Sequence, residues 1–137
     1  MKHHTNLNNK KTMRLLLDSH AALWWLSAPD KLTTEARLAI ASIDNEVYLS
    51  SASLWELHFK AAKGKLKLPP TLSKALSEQE IDELKISWKH TERTRTLPPI
   101  HHDPFDRLLI AQAIEEGLTL VTRDGLLQQY ELSTLKA

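Results

Sequence analysis

Short apolar runs alternate along the chain with stretches in which apolar positions recur every three or four residues, the periods of strands and helices. Residues 14–17 (RLLL) predict a short buried strand ending at Asp18. A helix is expected over 20–27, stopped by Pro29. A second, capped by Thr33 or Thr34, runs to about Asp44 with Ala36, Ile40 and Ile43 on one side. Residues 46–50 (EVYLS) read as a strand. The helix after it covers 53–62 and ends near Gly64, and Pro69-Pro70 breaks the chain. A weak helix at 71–78 precedes a strand near 84–87, and Ser87 caps a helix to about Arg95. Asp103-Pro104 opens the clearest helix, which closes at Gly117. Residues 118–122 (LTLVT) form a fourth strand, Asp124-Gly125 a turn, and 131–134 a last weak strand.

Strands alternating with helices imply the α/β class, a mostly parallel sheet covered on both faces. At 137 residues, 42% of them hydrophobic, the chain has material for one domain with a real core. Residues 1–12 (MKHHTNLNNKKT) are polar and aperiodic and are expected to be a flexible tail. Met13 directly precedes the first apolar run and is read as the natural start, which leaves 13–137 as the domain.

Charge and cysteine content narrow the chemistry. Eighteen basic residues face 17 acidic ones, a net of +1, so bulk charge does not announce a nucleic-acid binder. Lys2, Lys10 and Lys11 precede Met13 and no acid does, so the remainder carries 15 bases against 17 acids, or −2. The absence of cysteine excludes a disulfide scaffold, a thiolate zinc site and a Cys nucleophile, and it suits a reducing cytoplasm. The longest apolar run, 21–26, is too short to span a bilayer, and no secretory leader is evident.

Four carboxylates fall where the expected topology gathers functional groups. Asp18 ends the first strand, Glu56 lies in the first turn of the helix after the second, Asp106 in the first turn of the long helix, and Asp124 after the fourth strand. In an open parallel sheet these positions share one edge, where ligands bind. Each acid taken singly reads as a helix cap: Ser53 with Glu56, and Asp103 with Asp106, have capping-box spacing. Caps do not explain four acids on one edge. Such a cluster repels itself unless protons or a cation neutralise it, and oxygen-only ligation suits a hard divalent ion.

Four segments in order, LLLDSHAALWWL (15–26), SSASLWELHFKAAKGKL (50–66), LPPIHHDPFDRLLIAQA (97–113) and LTLVTRDGLLQQY (118–130), give the chain a resemblance to the PIN-domain family, specifically its VapC-type toxins. The resemblance implies a three-layer α/β/α fold and a ribonuclease dependent on Mg²⁺ or Mn²⁺. Asp18, Glu56, Asp106 and Asp124 match the family's acids, with Asp18 and Asp106 the firmest ligands. Asp124 completes a second site or supports the first, and Asp103 is left mainly as a cap. Ser19 stands where relatives often carry Thr, and Thr122 is placed to hydrogen-bond an acid or a water. The partners implied are an RNA substrate, a cognate antitoxin that covers the pocket, and a second copy in a homodimer.

Other residues carry two readings. Lys60, Lys63, Lys65 and Lys67 either hold RNA phosphates or form a solvated helix end, with Lys60 pairing Glu56. Arg107 and Arg123 adjoin acids and either contact substrate or balance charge. Of Trp24 and Trp25, one is expected in the core and the other as an interface anchor. His101 and His102 are not expected to hold metal, and His20 is expected on a solvent-facing side. Outside the nuclease class, an inactive PIN-like binding module or a phosphate-handling signalling domain remains. A receiver domain needs a lysine after a late strand, which Thr122-Arg123-Asp124 does not supply.

Overall fold

The computed structural model describes residues 12–137; the expected tail lies outside them except for Thr12. Five strands, β1 (Arg14–Leu17), β2 (Glu46–Ser50), β3 (Ile81–Leu84), β4 (Thr119–Thr122) and β5 (Thr134–Lys136), form one sheet in the order β3-β2-β1-β4-β5. Every pairing is parallel, so the sheet is wholly rather than mostly parallel. Six α-helices connect the strands: α1 (Ser19–Ser27), α2 (Thr34–Ala41), α3 (Ser51–Ala62), α4 (Leu72–Glu78), α5 (Trp88–Arg93) and α6 (Pro104–Glu116). No helix among the described residues is long and apolar enough to cross a membrane.

Alternation along β1 makes the three layers. Leu15 and Leu17 enter a core with Ala21, Ala36, Ile40, Leu57 and Leu72, from α1 to α4. Leu16 enters the opposite core with Leu109, Ile110 and Ala113 of α6. All three leucines are fully buried, each contributing roughly 1.5–3 kcal/mol. A strand covered on both faces must be apolar throughout, which is why RLLL shows no polar alternation.

Element ends differ from expectation where side chains intervene. Helix α2 stops at Ala41 rather than near Asp44, because Asn45 turns back to donate to Ala39 O at 2.9 Å and accepts from Met13 N at 2.8 Å. Helix α3 starts two residues early, capped by Ser50, whose Oγ accepts from Ala52 N at 3.1 Å. Ser53 therefore caps nothing, and Glu56 sits in the second turn rather than the first. Strand β3 comes earlier than the expected 84–87, since Ile81 is buried beside Val47 while Ile86 stays exposed. Helix α5 gives way at Thr94 to a 3₁₀ turn, Thr94–Thr96. Strand β5 begins only at Thr134, the last residue of the expected 131–134, and continues to Lys136, where Leu135 reaches the core. Helix α6 matches: Asp103 caps it, accepting from Phe105 N and Asp106 N, and Gly117 ends it at φ +65°, the left-handed conformation glycine takes without strain.

From β1 the chain winds outward to β2 and β3, then crosses to β4 and β5 on the other side. The direction reverses between β1 and β4, a switch point whose carboxyl end opens a crevice.

Candidate active site

Asp18 leaves β1 at that crevice and caps α1, its Oδ1 accepting from Ala21 N at 2.8 Å. Its own N–H donates to Val121 O at 3.1 Å, so β1–β4 pairing brings it beside Thr122. The buried Thr122 hydroxyl hydrogen-bonds the Asp18 carboxylate and accepts from Asp124 N at 3.1 Å, which ties together the acids after β1 and β4. Glu56 arrives on α3, its Oε1 accepting from Ser19 Oγ at 2.5 Å and its Oε2 lying 3.4 Å from Lys60 Nζ. Asp106, in the first turn of α6, does not reach back to its helix cap. Its Oδ2 lies 3.1 Å from His101 Nε2, and Asp124 Oδ2 lies 3.2 Å from the same nitrogen.

A cavity of about 380 Å³ is lined by Asp18, Glu56, Asp103, Asp106 and Asp124, with Ser19, His20, Trp24, Lys60 and Arg123 among its other walls. Five carboxylates thus face two full cations. Burial, and secondarily repulsion from Asp103, push Asp106 up to about 6, with Glu56 and Asp124 adding and His101 opposing. Burial also raises Asp18, against the hydrogen bonds from Ala21 N–H and Thr122. A divalent ion placed among these carboxylates would offset both their burial and their mutual repulsion. The donors are oxygen-rich and include no thiolate, so they fit a hard divalent ion, with Asp18, Glu56, Asp106 and Asp124 able to hold it.

The other expected substrate residues divide. Ser19, Lys60 and Arg123 line the cavity. Arg123 is anchored there: its Nε donates to Ala137 O at 3.0 Å, an Nη donates to Lys31 O, and its guanidinium lies 4.4 Å from the Trp24 ring centroid. Thr122 acts from beneath, through Asp18 and Asp124. Lys65 is exposed past the end of α3 and is not part of the lining. Arg107 does not face the cavity. Its guanidinium donates to the carbonyls of Thr94, Pro98 and His101 at 2.8, 3.2 and 3.1 Å, so it braces the loop instead of balancing charge.

Trp24 and Trp25 are both half-buried and both pack against the same core, so the structure does not divide them into one core residue and one outward anchor. His20 is exposed at the rim. His102 is exposed, while His101 stands among the acids, a placement that the sequence reading did not foresee. No helical or strand period links a loop histidine to Asp106, five positions on, or to Asp124, so the sequence carried no signal for it.

The fold and the site define a class: an all-parallel α/β domain with a carboxylate cavity at its switch point, whose oxygen donors fit a hard divalent cation. The PIN domain model matches residues 15–131, and the chain belongs to the PIN domain family. It is 36% identical over 120 residues to Ribonuclease VapC22 of Mycobacterium tuberculosis (strain ATCC 25618 / H37Rv), covering 85% of this chain and 91% of that protein. A chain of the crystal structure of VapBC2 from Rickettsia felis, bound to a DNA fragment from their promoter, matches with TM-score 0.66 at 20% identity. That match covers 90% of this chain and 98% of the other. A chain of DNA-bound VapBC from Salmonella typhimurium matches with TM-score 0.62 at 15% identity, over 90% and 97% of the two chains. At these identities the solved structures share the fold.

Proposed function

We propose that this chain is an Mg²⁺- or Mn²⁺-dependent endoribonuclease, the toxin of a toxin–antitoxin pair working in the cytoplasm. The observation that carries the reading is a cavity at the β1/β4 switch point lined by five carboxylates, one of them raised to about 6. A relative named a ribonuclease, alike over most of both chains, supports RNA as substrate.

When bound, a divalent ion supplies Lewis acidity toward the phosphodiester and lowers the pKa of a water. Asp18 and Asp106 would hold the cation. Glu56, fixed by Ser19 and Lys60, orients the attacking water and receives its proton. Thr122 sets the spacing of Asp18 and Asp124. Lys60 and Arg123 meet RNA phosphates at the rim, and no covalent intermediate is needed.

The VapBC complexes among the structural relatives support an antitoxin partner. A homodimer is supported by an apolar groove of about 280 Å³ lined by Trp55, Ile86, Pro104, Phe105 and Leu108, where Trp55 is 64% exposed and its ring centroid lies 5.3 Å from that of Phe105.

Cleavage of defined RNAs with Mg²⁺, with Mn²⁺ and with EDTA tests the reading. Cleavage should need the metal and vanish in Asp18→Asn and Asp106→Asn with folding retained. Metal-independent cleavage, or wild-type rates in either variant, would overturn it.

A further inference from the structure

We infer that His101 is a positioning residue of the carboxylate site: its Nε2–H donates to Asp106 and Asp124 together and sets the separation at which they face a cation. The inference rests on the metal-dependent reading above and assigns a role to a side chain outside its acidic set.

The tautomer follows from the backbone. Asp103 N–H can only donate, and it donates to His101 Nδ1 at 3.1 Å. Nδ1 is therefore the acceptor, and Nε2 is the nitrogen left to donate. That nitrogen lies 3.1 Å from Asp106 Oδ2 and 3.2 Å from Asp124 Oδ2, so one N–H is shared by two carboxylates. The three atoms are close enough together to suggest a ligand trio. The tautomer argues otherwise, because a protonated Nε2 has no lone pair for a metal. Moving the proton to Nδ1 would set it against the Asp103 N–H.

The His101 backbone is anchored at both its N–H and its carbonyl. The His101 N–H donates to Tyr130 Oη at 2.8 Å, and Tyr130 Oη donates to Pro98 O at 3.2 Å. The His101 carbonyl accepts from Arg107, which also gathers Thr94 O and Pro98 O. The side chain is only 14% exposed.

Asp106 belongs to α6 and Asp124 follows β4, so the two carboxylates sit on separate elements and repel each other. A donor shared between them holds the two together across the cavity. Asp124 Oδ1 also accepts from Leu126 N at 2.9 Å, which fixes that carboxylate in two directions. Hydrogen-bonding partners of metal-ligating groups usually matter about 10- to 100-fold in metal affinity.

The test is calorimetry of Mn²⁺ and Mg²⁺ binding to the full chain without RNA, for wild type, His101→Ala and His101→Gln, with ¹⁵N NMR of the histidine ring before and after Mg²⁺ loading. Gln places an amide N–H where Nε2–H stands. The ring should keep the Nε2–H tautomer in both states. Affinity should fall about 10- to 100-fold in His101→Ala and stay within about threefold of wild type in His101→Gln. An Nδ1–H ring, loss of the Nε2 proton on loading, equal losses in both variants, or wild-type affinity in His101→Ala would each overturn the assignment. The NMR result decides even if His101→Ala fails to fold. RNA cleavage by wild type is measured in parallel: no cleavage with intact metal binding would end the ribonuclease reading and leave this one standing.

Discussion

Asp106→Asn should make the metal-free protein more stable while removing its function. Asp106 moves from 3.8 to about 6 on folding, a shift of about 2 units, which at 1.36 kcal/mol per unit is about 3 kcal/mol of destabilisation when it is ionised. Against this stands its place in the first turn of α6, where a negative charge gains roughly 0.3–1 kcal/mol from the helix N-terminus. Burial and repulsion win, so the neutral amide should stabilise by about 2 kcal/mol at pH 7.5 in EDTA. Because the folded pKa is raised, the contribution of Asp106 is fully present below 3.8 and is lost as pH rises through about 6. The advantage of the variant should therefore vanish by about pH 4. Metal reverses the order: at 100 times Kd, an ion that binds only the folded wild type adds about 2.7 kcal/mol, more than the variant gains. Denaturant unfolding at pH 7.5 and pH 4, with EDTA and with Mn²⁺, measures all three terms. A variant less stable than wild type in EDTA at pH 7.5, or one whose gain persists at pH 4, would refute the reasoning.

Three further outcomes are expected. Lys60→Ala should weaken RNA binding and reduce the slope of log affinity against log salt by about 0.7, whereas Lys65→Ala, outside the cavity, should leave the slope nearly unchanged; filter binding across a salt series checks both. Arg107→Lys replaces a fork bonded to several carbonyls by a point charge, and should cost about 1–3 kcal/mol in thermal unfolding and lower metal affinity through His101. Glu116 lies below its ordinary 4.5, held by hydrogen bonds from Lys89 at 2.9 Å and from His90 at 2.7 Å. A depressed carboxylate contributes stability that is present above its unfolded value and lost as pH falls through the folded one. Melting curves below pH 4.5 should therefore show a steeper acid limb for wild type than for Glu116→Gln.

The acidic edge was legible because it rests on local rules. An apolar run followed by Asp, or a strand followed by a helix cap, places a carboxylate at a strand end whatever the rest of the chain does. Glu56 was placed on the right edge though assigned to the wrong turn: Ser50, Ser51 and Ser53 are all acceptable caps, and only the packing of β2 selects Ser50. The ends of α2, β3 and β5 were misread for a similar reason, since Asn45, Ile81 and Leu135 declare themselves only against partners elsewhere in the sheet and its cores.

By itself, then, the sequence determined the α/β class, the apolar strand β1, the limits of α6 and the four acids. Period, caps and turn residues are short-range signals that act within a few positions. Tertiary structure alone decided that the edge is a switch point between β1 and β4, that Arg107 braces a loop rather than facing the cavity, and that His101 stands between two carboxylates. Those facts depend on distances between side chains brought from separate elements, Asp18 and Asp124 from strands that are neighbours in space and a hundred residues apart in the chain. Hydrogen-bond direction, which made the histidine a donor, is fixed only once the loop has folded around it.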